Sequence, residues 1–245
     1  MDSSLKIEEA AASDPAFTFA FQPIVDANAC EVVSYEALIR GLGNEPAYRI
    51  LGQVKAERLF LFDQNARVQA IGLAGRLGLS CHLNLNFLPR SLDSSPDSVL
   101  SALAAAEQAN LPVRRMVLEV LEGQVIDNLA GFAQKINRYR AMGLKVAIDD
   151  FGSGYSGLNL LAEFQPDQVK LDMKLIRGIE SHGPRQSIVR AIDQICSDLG
   201  IDLIAEGVET KEEYGWLASQ GIHLFQGYLF AKPAFEAFPP VNYPK

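Results

Sequence analysis

Short apolar runs alternate along the chain with longer stretches of helical spacing. The runs FTFAFQPIV and EVVSYEALI flank DANAC and predict a β-hairpin. Over 56–77 apolar residues recur at helical spacing, and Gly78 stands just past the end as a C-terminal stop. Strand CHLNLNFL comes next, then a helix near 98–110 and strand MVLEVL. A helix near 129–142, closed by Gly143, leads to strand KVAIDD. A short helix near 158–164 and strand DQVKLD follow. The helix near 186–199 is closed by Gly200 and leads to IDLIAEG; the helix near 211–220 is closed by Gly221 and leads to HLFQGYLF. Strands separated by helices imply parallel pairing with right-handed crossovers. About eight such units suit a closed (β/α)8 TIM-like barrel. The opening hairpin departs from strict alternation, so the first strand is expected to be antiparallel. An open doubly wound sheet is the competing architecture, but its usual glycine-rich first turn has no counterpart in FQPIVDANA.

In a parallel barrel, chemistry collects where strands end. Here the runs deliver Glu36 and Arg40, Asn84 and Asn86, Glu119 and Glu122, Asp149 and Asp150, Lys170 and Asp172, Glu206 and Glu209, and Gln226. Taken singly, each has a structural explanation: a solvated rim residue, an ion pair, or a cap on the glycine loop. Jointly they fall at the same end of successive strands, which independent accidents would not produce. The stretch KVAIDDFGSGYSGL is the sharpest case. Adjacent aspartates at the end of a buried strand repel each other and lose hydration, so a positive partner is expected there. An oxygen-rich set without histidine suits Mg²⁺ or Mn²⁺ better than Zn²⁺. His82, His182 and His223 fall before or between these positions. So many carboxylates would leave excess charge around one divalent ion, whereas two would balance it.

Composition narrows the classes. The chain has 245 residues, 48% apolar and 21% charged, with a formal net charge of −8. That balance disfavours a phosphate-tracking DNA or RNA surface but permits a small anion held through metal ions. Cys30, Cys81 and Cys196 have no motif spacing and cannot all pair, which suits reduced thiols in the cytoplasm. The polar, acidic start is unlike a signal peptide, and no apolar run reaches membrane-span length. Residues 1–16 are expected to be a flexible tail or linker, and 17–245 a single domain.

EALIR at 36–40 resembles the signature of EAL domains, the cyclic di-GMP phosphodiesterases. The similarity continues through NFLPRSL, LEVLE, AIDDFGSGYSGL, VKLD, IAEGVET and FQGYLFAKP. The resemblance implies that Glu36, Asn86, Glu119 and Asp149 are metal ligands, that Asp150 binds a second metal, and that Glu206 serves the metal site. It implies that Lys170 holds or activates the attacking water, that Gln226 helps orient it, and that Gln22, Leu38 and Arg40 contact the dinucleotide, Arg40 on a phosphate. Glu209 would anchor the loop over 151–158. In HLNLNFLP the family's Asn-Leu-Ser pattern favours Asn86, because Pro89 and Arg90 then fall into place; Asn84, on the same face, is the second candidate. Leu121 stands where the family usually has Thr.

The implied reaction is opening of cyclic di-GMP to linear pGpG with two Mg²⁺ or Mn²⁺ ions, and Ca²⁺ is expected to inhibit. A homodimer and an upstream sensory or GGDEF domain in a longer protein are further expectations. The rivals are a non-catalytic cyclic di-GMP receptor and a barrel hydrolase acting on another phosphodiester.

Overall fold

In the computed structural model, which describes residues 14–90, 97–123, 126, 128–154 and 157–244, the chain opens with an antiparallel hairpin. Its strands are β1 (Thr18–Asp26) and β2 (Glu31–Arg40), with Gln22 opposite Glu36. Then follow α1 (Ala47–Leu51), α2 (Leu59–Arg76), β3 (His82–Asn86), α3 (Asp97–Gln108), β4 (Met116–Leu121), α4 (Leu129–Ala141) and β5 (Lys145–Phe151). The second half adds α5 (Gly157–Phe164), β6 (Gln168–Leu171), α6 (Met173–Ile176), α7 (Gly183–Leu199), β7 (Asp202–Ala205), α8 (Lys211–Ser219), β8 (Leu224–Phe225) and β9 (Ala234–Phe235). Strands β2 to β8 run parallel in sequence order, and β1 closes the barrel antiparallel to both β2 and β8. Because β8 is so short, it pairs with only Val25 and Asp26 of β1; β9 takes the remaining edge at Ala20 and Phe21.

The alternation of side chains along each strand divides two environments. One parity packs outward against the helices: Phe21, Leu83, Leu118, Ile148, Val169 and Phe225 are all buried in that main core. The other parity faces the barrel interior. There a small separate cluster of Ile24, Ile204 and Leu224 fills part of the space. One position further up the same faces stand Gln22, Glu206 and Gln226.

Several boundaries differ from expectation. HLFQGYLF forms strand only over Leu224–Phe225. Gly227 passes so close to Val208 that a Cβ there would lie 2.0 Å from the Val208 carbonyl oxygen, and the chain turns away. Helix α7 starts at Gly183, earlier than 186, because the His182 ring accepts from the Arg185 amide and Pro184 occupies the first turn. The helix expected from 56 is a 3₁₀ turn over Ala56–Arg58 before α2 begins. Helices α1 and α6 and strand β9 are too short to carry a periodic signal. Within the expected tail, Asp14 pairs with Arg58 at 2.7 Å; residues 1–13 lie outside the described ones.

The C-terminal segment seals the hairpin: Phe238 stacks on Tyr35 with centroids 4.3 Å apart and meets Phe21 edge-on at 5.1 Å. Phe21 is completely buried. Phe21→Ala should therefore cost about 3–5 kcal/mol, the range for deleting a buried ring. Urea unfolding followed by circular dichroism checks it; a loss below about 1 kcal/mol would mean that the hairpin is not packed as described.

Candidate functional site

Inward parity at the upper ends of the strands gathers the carboxylates around one ammonium. Lys170, the inward residue of β6, is fully buried. Its Nζ lies 3.1 Å from Glu36 on β2, 2.7 Å from Glu119 on β4, 3.0 Å from Asp149 on β5 and 2.6 Å from Glu206 just past β7. Two acidic triads result, Glu36–Glu119–Asp149 and Asp149–Asp150–Glu206, which share Asp149.

The electrostatics follow from burial. Desolvation, with Glu36 and Asp149 nearby, pushes the Glu119 carboxyl up to about 8 despite Lys170. Desolvation and the like charges of Asp149 and Asp172 raise Asp150 to about 6. Glu206 is raised well above the carboxylate range, first by burial and then by Asp149 and Glu36. Burial alone would lower Lys170, but the four carboxylates hold it well above an ordinary lysine. One ammonium cannot compensate five carboxylates. The four charges left over, if all ionise, match two divalent cations.

A ring of amides steadies this cluster. Gln226 Nε2 donates to Glu36 Oε2 at 2.8 Å, and Asn86 Nδ2 lies 3.4 Å from Glu36 Oε1. Gln22 donates to the Ala231 carbonyl at 3.3 Å and faces Gln226 at 3.4 Å. Glu119 Oε2 and Gln226 Oε1 are buried and accept no hydrogen bond; Asp149 Oδ1 lies near Lys170 but accepts no well-directed one. Buried oxygens without donors, in an all-oxygen set, fit a hard divalent cation. A mostly apolar cavity of about 420 Å³, lined by Leu38, Phe87 and Leu121, opens on one side of the cluster. A smaller one of about 280 Å³, lined by Gln22, Glu209, Gln226 and Tyr228, opens on the other. Both reach Glu36, Asp149 and Asp150. Arg40 is not brought to either: it stands four residues beyond Glu36 on β2, and its guanidinium donates to the Ile39 carbonyl at 2.8 Å.

The glycine loop after β5 is held by a residue other than the expected one. Glu122 lies just past β4 and is 3% exposed. Its Oε2 accepts the Gly152 and Gly154 amides at 2.9 Å each, and its Oε1 the Gly157 amide at 2.8 Å. Glu209, expected as the anchor, instead pairs with Arg177 at 2.9 Å and is largely exposed. The loop leaves Asp150 at φ 54 and passes Gly152 at φ 93, a left-handed path that glycine tolerates. Tyr155 and Ser156 of that loop lie outside the described residues. LEVLE shows a second glutamate past a buried strand, but that it lies opposite the glycine loop, whose amides need acceptors, follows only from the pairing of β4 with β5. Asp172 serves as the N-cap of α6, accepting from the Lys174 amide at 2.6 Å.

Comparison with known proteins places this geometry in context. The family model for the EAL domain matches residues 6–233. The antirepressor BluF of Escherichia coli, regulated by blue light and temperature, is 37% identical over 228 residues, covering 93% of this chain and 57% of BluF. The cyclic di-GMP phosphodiesterase RocR of Pseudomonas aeruginosa is 34% identical over 168 residues, covering 66% of this chain and 42% of RocR. The chain thus spans about half the length of these two relatives. A standalone versatile EAL protein from Vibrio cholerae, solved in its c-di-GMP-bound form, superposes with TM-score 0.90 at 45% identity, covering 94% of this chain and 98% of that one. A manganese and cyclic di-GMP complex of Klebsiella pneumoniae BlrP1 superposes with TM-score 0.86 at 41% identity, covering 92% of this chain and 57% of BlrP1.

Two predictions rest on this geometry. Glu122→Ala leaves three loop amides without their acceptor at once, so hydrogen exchange at Gly152, Gly154 and Gly157 should accelerate while the barrel strands stay protected; unchanged exchange at those amides would show that the loop is held by other means. Asp150 and Glu119 bind protons more tightly when folded than unfolded. Their contribution to stability is present at acid pH and lost as pH rises through about 6 and about 8. Metal-stripped protein should therefore melt lower at about pH 8 than at about pH 5, and Asp150→Asn should flatten the trend; a melting temperature that rises steadily over this window would refute the assignment.

Proposed function

The chain belongs to the EAL domain family, and from that premise we propose that it is a divalent-metal phosphodiesterase opening cyclic di-GMP to linear pGpG. The observation that carries this reading is the pair of acidic triads joined at Asp149 around Lys170. In this reading Glu36, Asn86, Glu119 and Asp149 hold one Mg²⁺ or Mn²⁺, and Asp149, Asp150 and Glu206 a second. Cations bound there supply Lewis acidity, making water a stronger acid and stabilising charge on a phosphodiester. The chain's own groups do the rest. Lys170 keeps the carboxylates from repelling one another and offers a fixed positive charge to a phosphate oxygen and to the attacking water. Gln226 holds Glu36 in place and helps orient that water. Gln22 and Leu38, on the walls of the two cavities, contact the dinucleotide, whose bases suit their mixed apolar and amide linings. Arg40 takes a phosphate after its guanidinium leaves the Ile39 carbonyl. Ca²⁺, larger and less demanding in geometry, binds the same oxygens and inhibits.

The domain is read as 17–245, working in the cytoplasm as a homodimer and coupled in a longer protein to a sensory or GGDEF domain. Among the described residues no helix is long and apolar enough to cross a membrane. The antirepressor BluF favours a second reading, a cyclic di-GMP receptor that signals by contact without cutting. The retained carboxylates and Lys170 support the enzyme over the receptor.

Incubation with cyclic di-GMP and Mn²⁺, followed by chromatography, separates the two readings: pGpG is expected, and tight binding without product would establish the receptor instead. Glu36→Ala should abolish turnover while circular dichroism stays native. Arg40→Ala should weaken cyclic di-GMP binding in Ca²⁺ by about tenfold or more, since a guanidinium–phosphate pair is worth about 1.5–3 kcal/mol. Unaltered affinity by calorimetry would remove Arg40 from the binding set.

A further inference from the structure

Beneath the carboxylates, a serine and an asparagine are buried on the inner face of β2 and β3. Ser34 is 2% exposed and Asn84 not at all. Asn84 sits beside Glu36 in the parallel register, two residues before Asn86. Its Nδ2 donates to Glu119 Oε1 at 2.8 Å, and the Ser34 hydroxyl donates to its Oδ1. Chemistry dictates this orientation. With a cation bound, as proposed above, Glu119 is ionised and only accepts, so the amide NH₂ must face it; the amide oxygen is then left for a donor, which Ser34 provides. Glu119 Oε1 thus receives two donors, Asn84 and Lys170, whereas Oε2 receives none.

We propose that Asn84, locked by Ser34, is a positioning residue that turns Glu119 so that Oε2 faces the divalent cation. The inference rests on the metal reading above. Lys170 cannot set this angle alone, because its ammonium is shared among four carboxylates and its pull on Glu119 varies with the other three. Asn84 differs: its backbone is fixed in β3, its oxygen is tied to β2, and its remaining donor has one acidic partner. A leucine would fill the position without stripping water from a carboxamide, so packing does not account for the amide. A hydrogen bond to the oxygen that does not meet the cation is the usual way a protein orients a ligating carboxylate.

The test uses the full chain, with Mn²⁺ binding read by electron paramagnetic resonance. Wild type should take up Mn²⁺; if it takes up none, the metal reading itself fails and the positioning role with it. Asn84→Leu should weaken Mn²⁺ binding about 10–100-fold, while KM for cyclic di-GMP at saturating Mn²⁺ stays unchanged. Ser34→Ala, which frees the amide to turn over, should weaken it in the same direction but less. Wild-type Mn²⁺ affinity in a folded Asn84→Leu protein would overturn the positioning role and leave the metal reading intact. If Asn84→Leu does not fold, Ser34→Ala decides: unchanged Mn²⁺ affinity there overturns the proposal.

Discussion

Lys170 carries a single positive charge into the barrel interior, where Glu36, Glu119, Asp149 and Glu206 all approach within 3.1 Å of its Nζ. A charge so deeply desolvated is tolerable only when paired, and the carboxylates are tolerable only because it is there. The arrangement is under-compensated, since one cation serves five acids once Asp150 is counted. Burial first, and the repulsion left by that deficit second, raise the Asp150, Glu119 and Glu206 pKa values together, and the deficit favours a further positive charge. The same imbalance that would destabilise an isolated core is what suits the site to the cations of the proposed function.

Around this centre the fold separates two tasks for acidic residues. Those on the inner parity of the strands face the ammonium. Two buried glutamates outside the cluster, Glu122 just past β4 and Glu213 in the first turn of α8, hold backbone instead. Glu122 takes three amides of the glycine loop, and the buried Glu213 takes the amides of Gly178, Glu209 and Thr210 together with the Arg177 guanidinium. Each of these carboxylates fixes a loop that begins next to a cluster residue, Asp150 in one case and Glu206 in the other. Hydrogen bonds thereby tie backbone near the rim on both sides of Lys170. The Glu122 partners and Gly178 and Arg177 lie 30 or more residues away in the chain, so these ties form only on folding.

The barrel and most of the cluster were legible in the sequence. That apolar runs end in polar residues is a local property, and it set Glu36, Asn84, Asn86, Glu119, Asp149, Lys170 and Glu206 at the same end of successive strands. Placing those ends at one rim needed only the parallel pairing that helix-separated strands imply. Glycines at Gly78, Gly143, Gly200 and Gly221 marked helix ends, and each has the left-handed φ that such an end requires.

What the sequence did not determine depends on distance in space between groups remote in the chain. Both Glu122 and Glu209 follow a strand and precede a helix or turn, so nothing local separates a loop anchor from an Arg177 partner. Only the lateral packing of β4 against β5 brings Glu122 under the glycine amides. Likewise β9 pairs with β1 because β8 stops at Phe225, where the approach of Gly227 to Val208 turns the chain; a two-residue strand has no period to read. The choice between Asn84 and Asn86 shows the same limit. Both point inward, but the parallel register sets Asn84 beside Glu36 and Asn86 beside Glu119. Periodicity decides which face a side chain takes, whereas its neighbour on that face is decided by the stagger of the closed sheet.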